Sequence, residues 1–411
     1  MTAAIGGTGA GEAAVPVQGT VQTGAAVLAT NGFKLLPGQR VGLITNQTGR
    51  VGVTHLADLL HAAPGVRLAA IFGPEHGFRG IGVAGASVAG GRDPKTGVVV
   101  HSLYGATKSP TGDMLRGTDM LVFDIQDIGA RFYTYISTMG LAMQAAARAR
   151  LPFMVLDRPN PLGGADVSGF VLERPLASFV GRYPIPIVHG MSVGELAQMI
   201  RGERWLTGVE DLDLTVIPCI GVSRGMRWPA TGLGWIATSP NIPTFEAALV
   251  YPGIGMVGET LVNEGRGTPT PFSQFGTPWL DAPRLAADLA AARLAGARFE
   301  ATRYVPRAIS GVALDPRYLG EDVAAVRITV TDSATYRPLD VGIHALAGLQ
   351  RQARQRGTSV LPPKRGMFNA IAGTTRLARM LDAGASGADI IASWHDEIAQ
   401  FRAQRKPYLL Y

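Results

Sequence analysis

From Arg40 onward the chain passes repeatedly from a short apolar run of β character to a helical stretch and back, and few folds accommodate that alternation. The runs Arg40–Thr45, 66–72, 97–103, 120–125 and Phe153–Leu156 read as strands. Helical periodicity fills 54–62, with Thr54 as its cap, and 133–150. Parallel neighbours need a crossover of a dozen residues or more, and strand–helix–strand in succession supplies one. The fold class is therefore α/β, an open Rossmann-like parallel sheet with helices on both faces. Residues 220–280 change character, being dense in Gly, Pro, Trp and Tyr. Beyond them 281–297 and 341–355 read as helices, 324–331 as a strand, and 387–405 as one helix docked through Ile390, Ile391, Trp394, Ile398 and Phe401. A single core stops growing near ~250–300 residues, and this chain has 411. The expected division is a flexible small-residue tail at 1–20, a Rossmann-like catalytic domain at 21–248, and a smaller α/β (α+β) domain at 249–411 that completes a cleft.

The polar residues cluster where such a sheet binds ligands, just past the carboxyl ends of its strands. Asn46, Glu75, His76, Gln126, Asp127, Asp157, Arg158 and Asn160 all occupy such positions. Any one of them is also a natural turn former or helix cap; four strand ends carrying such clusters together point to a site. Hydrophobic residues at 46% and charged residues at 17% exclude a disordered chain, and no apolar run reaches the roughly 18–20 residues of a membrane span. The net charge of +7 is mostly arginine, dispersed without a basic run, so nucleic acid is not an expected partner, while an anionic substrate is compatible. Residues 1–33 hold no Lys or Arg and lack the basic-then-apolar order of a secretory signal. That leaves a cytoplasmic chain, or a start that is not the original precursor's.

Several motifs have bland readings. Gly80-Ile81-Gly82-Val83-Ala84-Gly85 matches a dinucleotide fingerprint as a string, but follows an extra loop and opens no clear helix; no P-loop string occurs. Gly190-Met191-Ser192-Val193-Gly194 matches a nucleophile elbow after a possible strand at 185–188, with His344 or His395 to follow it. Ser192 with Glu195 is equally a capping box ahead of Leu196, Met199 and Ile200, and that reading is preferred. The lone Cys219 and the scattered histidines offer no metal site, so neither metal nor cofactor is expected. Carboxylates remain. Glu75, Asp127 and Glu264 lie in loops flanked by glycine, and paired carboxylates with Arg and Asn to hold a substrate are the equipment of glycosidic cleavage, although other acid–base chemistry fits too.

Taken together, Asn46-Gln47-Thr48-Gly49, Pro74-Glu75-His76-Gly77, the thirteen residues from Phe123 to Tyr135, and Leu156-Asp157-Arg158-Pro159-Asn160-Pro161 resemble the NamZ family of exo-β-N-acetylmuramidases. The resemblance continues through the 189–196 segment, Ser239-Pro240-Asn241-Ile242-Pro243-Thr244, Glu264-Gly265-Arg266-Gly267-Thr268 and the terminal Tyr408-Leu409-Leu410-Tyr411, with Asn263 where a small Ser is expected. It implies a Rossmann-like domain and a smaller carboxy-terminal domain around one cleft, release of N-acetylmuramic acid (MurNAc) from peptidoglycan-derived MurNAc-GlcNAc saccharides, and a periplasmic or extracellular setting. Oligomeric state stays open. Glu75 is then the expected general acid, with Asp127, or Glu264 in its place, as the second carboxylate. Asn46, His76, Gln126, Arg131, Tyr133, Tyr135, Arg158, Asn160 and Arg266 are the expected substrate contacts. Arg131, four residues beyond Asp127, is the first choice for the lactyl carboxylate, with Arg158 and Arg266 as alternatives. Two other functions fit the same residues: a non-catalytic binder of muropeptides or anionic sugars, and a serine hydrolase using Ser192.

Overall fold

The computed structural model describes residues 21–79 and 90–411; the tail at 1–20 and the glycine string at 80–85 lie outside the described residues. The first domain is built on seven strands: β1 (Arg40–Thr45), β2 (Arg67–Gly73), β3 (Gly91–Arg92), β4 (Val99–Ser102), β5 (Met120–Asp124), β6 (Phe153–Leu156) and β7 (Leu214–Ile217). They lie in the order β3-β4-β2-β1-β5-β6-β7, parallel throughout except for the short β3. Because side chains alternate along a strand, Ile44, Phe72, Phe123 and Val155 enter one hydrophobic cluster, and Leu43, Ile71, Val122 and Leu156 enter the other. Burial on both faces is why these strands read as continuous apolar runs. Helices α1 (Gly24–Thr30) and α2 (Leu56–Ala62) cover one face, while α3 (Tyr135–Ala149) and α4 (Val193–Gly202) cover the other. Each fully buried Leu, Ile or Phe contributes roughly 1.5–3 kcal/mol.

The chain places β2 and β4 on one side of β1, then returns to place β5, β6 and β7 on the other. The crevice between the carboxyl ends of β1 and β5 is thus a topological switch point. Helix α5 (Phe245–Val257) leads to the second domain, and the expected boundary near residue 248 falls inside it. There an antiparallel sheet of β8 (Gln274–Thr277), β9 (Ala297–Tyr304) and β10 (Val323–Val330), in the order β8-β10-β9, packs against α6 (Ala282–Ala291), which in turn packs on α7 (Pro338–Gln355). Four short helices follow: α8 (Gly366–Ala372), α9 (Arg376–Ala383), α10 (Gly387–Ala392) and α11 (His395–Arg405). They return the chain to the first domain, where Arg405 donates to the carbonyls of His189, Gly190 and Gly164.

The differences from expectation have local causes. Residues 54 and 55 pair as a strand with Arg50–Val51, and the α2 cap is His55, whose Nδ1 accepts from Ala57 N. The expected helix 281–297 stops at Ala291, and Ala297–Tyr304 is an edge strand whose exposed, charged positions hide its period. The expected helix 387–405 breaks at Ser393 and Trp394 into α10 and α11. Residues 185–188 form no strand; Val188 makes only isolated bridges, to Ala130 and Ser168.

The terminal residue secures the end of β6. Asp157 is fully buried and accepts from Ser192 Oγ (2.6 Å), Gly194 N (2.8 Å) and Tyr411 Oη (2.6 Å), while Tyr411 Oη also accepts from Cys219 N (2.7 Å). Burial still pushes the Asp157 carboxyl up to about 6. Tyr411→Phe strands the Cys219 N–H and removes a donor from Asp157, so it should cost about 1–3 kcal/mol in urea denaturation; an unchanged midpoint would mean that water takes over both bonds.

Candidate active site

At the carboxyl edge of the sheet, closed over by the second domain, lies a cavity of about 500 Å³. Glu75 enters it from the loop after β2. There His76 and Gly77 both take left-handed backbone (φ 68° and 75°), and Gly77 N closes the turn on Pro74 O at 2.9 Å. Left-handed backbone is costly for a non-glycine residue, and strain of this kind concentrates at functional sites. Thr134 Oγ1 donates to Glu75 Oε2 at 2.7 Å. Tyr104 lines the same cavity; burial, and then the neighbouring Glu75, push its phenol up to about 12, so it keeps its proton.

An aromatic wall runs from the first domain into the second. Tyr251 of α5 packs edge-on against Phe272 (4.8 Å between ring centres), against Tyr133 (5.9 Å), and tilted on Phe132 (5.4 Å). Tyr133 Oη donates to Thr238 Oγ1 at 2.8 Å. At the Phe272 end Arg266 lies over the ring, 5.3 Å from its centre, and its Nη1 pairs with Glu264 Oε1 at 2.9 Å. Arg266 Nε is buried with no hydrogen-bond partner among the described residues. Lys108 stands 4.1 Å from the centre of the Phe179 ring on the first-domain side, and Glu259 lines the cavity from the second. Among the described residues no group of three or more His, Cys, Asp or Glu could hold a metal ion, and no helix is long and apolar enough to cross a membrane.

The amino-terminal domain of the exo-β-N-acetylmuramidase NamZ family matches residues 41–246, and its carboxy-terminal domain matches 249–411. The chain belongs to the NamZ family. It is 40% identical over 392 residues to the peptidoglycan β-N-acetylmuramidase NamZ of Bacillus subtilis strain 168, covering 95% of this chain and 91% of that protein. Two crystal structures of DUF1343 family proteins from Bacteroides fragilis NCTC 9343 share the fold. One has a TM-score of 0.87 at 36% identity, covering 96% of this chain and all of the other; the second has 0.78 at 35%, covering 95% and 99%.

Of the residues singled out from the NamZ motifs, Glu75, His76, Tyr133 and Arg266 line the cavity, with Glu264 holding Arg266 from behind. The others form the framework beneath it. Asn46 Oδ1 accepts from Thr48 N and Oγ1, Thr48 Oγ1 accepts from Gln126 N, and Gln126 Nε2 donates to the carbonyls of Asp127 and Pro159. Tyr135 Oη donates to Thr238 O, and Asn160 bridges Leu162 N and Met191 O. Arg158 is committed to Asp124 through Nε (2.6 Å) and Nη2 (3.0 Å).

The expectation for Arg131 needs correcting. It is wholly buried outside the cavity lining, pairs with neither Asp124 nor Asp127, and donates instead to the carbonyls of Phe170 (2.6 Å), Ile185 (2.8 Å) and Ile371 (2.8 Å). Asp127 is likewise buried outside the lining and accepts from Gly129 N at 2.7 Å. Ser192 forms the capping box with Glu195 and donates to Asp157, so its hydroxyl is engaged in structure. Tyr104, Lys108, Thr134 and Glu259 were missed. Tyr104 and Lys108 follow a strand end like the others, and that position was their only signal; Glu259 follows a helix and carried none.

Burial pushes the Asp127 carboxyl up to about 7, against an ordinary value near 3.8. The folded chain then holds a proton that the unfolded chain releases, so this group's contribution to stability is complete below about pH 4 and lost as pH rises through about 7. In Asp127→Asn that loss should vanish: the variant's unfolding temperature should gain on the parent's between pH 4 and 7. Parallel pH profiles would show that Asp127 ionises freely in the fold.

Proposed function

We propose that this chain is an exo-acting glycoside hydrolase that releases N-acetylmuramic acid from the non-reducing end of peptidoglycan-derived saccharides such as MurNAc-GlcNAc. The observation that carries the reading is one cavity in which a carboxyl held by the Thr134 hydroxyl faces an aromatic wall ending in a cation. The named activity of the B. subtilis relative supports it. Glu75 is the general acid: its proton passes to the glycosidic oxygen as the bond to the anomeric carbon breaks, and Thr134 keeps the carboxyl aimed. A non-catalytic binder has no need of a carboxyl oriented in this way.

N-acetylmuramic acid differs from N-acetylglucosamine by its 3-O-lactyl carboxylate, which calls for a cationic fork. Arg131 and Arg158 are committed to carbonyls and to Asp124, whereas Arg266 lines the cavity with Nε unpaired. Arg266 therefore takes the lactyl group, steadied by Glu264 and Phe272.

Incubation with MurNAc-GlcNAc should liberate free N-acetylmuramic acid; binding without release would instead mark a muropeptide binder. Glu75→Gln should fold normally and lose ~10²–10⁴-fold in turnover, and near-normal turnover would remove Glu75 from the role. Arg266→Lys should weaken kcat/KM on the muramic substrate by about 1.5–3 kcal/mol and change weak activity on an N-acetylglucosaminide far less. Equal losses on both sugars would place lactyl recognition elsewhere.

A further inference from the structure

The cavity holds a second carboxyl outside all the motifs quoted above. Helix α5 ends at Val257, Gly258 caps it, and Glu259 follows at once, lining the cavity from the second domain while Glu75 lines it from the first. Its position opposes the local electrostatics. A helix carboxyl end carries the negative end of the macrodipole, where a carboxylate is disfavoured. Burial penalises its charge most; Arg266 favours the charge, Glu264 opposes it and Arg317 favours it, and the carboxyl ends above its ordinary value. Arg266 gives its Nη1 to Glu264. Tyr251 on α5 lines the same cavity as Glu75, Glu259 and Arg266, so a carboxyl from each domain enters one enclosed space. An acidic residue kept where its charge costs stability, inside a cavity, is a mark of function.

We propose that Glu259 is the second catalytic carboxyl of this cavity, accepting the proton of the nucleophile that attacks the anomeric carbon; this rests on the muramidase reading above. Glu75 gives its proton to the glycosidic oxygen, and the electron pair of the breaking C1–O bond leaves with the departing sugar. An oxygen of water, or of the substrate's own acetamide, bonds to C1, and the proton that group sheds passes to Glu259. Where water attacks, the free sugar forms at once and proton exchange with solvent restores both carboxyls; where the acetamide attacks, water then adds at C1 and breaks the acetamide C1–O bond, giving its proton to Glu75 while Glu259 returns its own to the nitrogen. A lactyl carboxylate seated on Arg266 adds negative charge beside Glu259 and strengthens it as a base, which couples recognition of the muramic sugar to its cleavage.

The test compares the parent chain with Glu259→Gln and Glu259→Asp on MurNAc-GlcNAc between pH 4 and 9, with thermal unfolding recorded for each. A base must be ionised, so the parent rate falls as pH falls through the raised Glu259 value. Glu259→Gln should lower kcat by ~10²–10⁴-fold with KM little changed and abolish that acidic limb; Glu259→Asp should recover part of kcat with the limb displaced. A folded Glu259→Gln chain that keeps both its rate and its acidic limb overturns the proposal and leaves the muramidase reading intact. So does a loss of rate that tracks a lower unfolding temperature with the limb unmoved, which would assign Glu259 to packing. Should Glu259→Gln not fold, an unmoved limb in Glu259→Asp overturns the proposal by itself. A parent chain that releases no N-acetylmuramic acid overturns the underlying reading instead.

Discussion

The Arg131 guanidinium, buried without a carboxylate partner, bonds three backbone carbonyls, two in the first domain and one on α8 of the second. A charge in that position is expensive to desolvate, and removing one of its partners would leave it uncompensated. It therefore requires α8 to stay docked, and α8 supplies Met367 and Ile371 to the cavity wall. Neighbouring bonds work in the same direction: Glu173 N donates to Gly373 O, and Thr374 Oγ1 donates to Glu173. The cavity exists because the two domains are held in this relation, and one hydrophobic cluster runs through both.

On that platform the two domains contribute complementary chemistry. The first brings Glu75 on a strained turn after a central strand, with the Thr134 hydroxyl donating to it from another strand-end loop. The second brings Arg266, Glu264 and Glu259 on the segment that follows α5. Aromatic rings line the cavity between the two sets, and charges set among apolar groups act on one another more strongly than they would in water. The division suits a reaction that needs proton transfer at one end of a bound sugar and recognition of an anionic substituent at the other.

The sheet was legible because buried parallel strands are continuous apolar runs between glycine- and proline-rich loops; Arg40–Thr45 and Phe153–Leu156 match the observed strands end to end. Edge strands such as β9 escaped notice because solvent on one side allows charged residues to interrupt the pattern. Of the site, Glu75 and Arg266 could be found from their motifs. Asp127 and Arg131 share the same motif density but serve the backbone, since buried strand-end loops leave N–H and C=O groups that need partners.

By itself the sequence determined the α/β class, the family, and the strand ends near which the site must lie, all of which follow from local pattern and ordered motifs. Only the tertiary structure decided which polar residues face the cavity. A side chain at a strand end can satisfy a neighbouring loop or meet a ligand, and the outcome depends on groups far away in the chain: Arg131 is claimed by a carbonyl at residue 371, and Asp157 by the hydroxyl of Tyr411. Glu259 reaches the cavity for the same reason, because the docking of α5 against the first domain, and no motif of its own, places it there with Arg266 and Glu75.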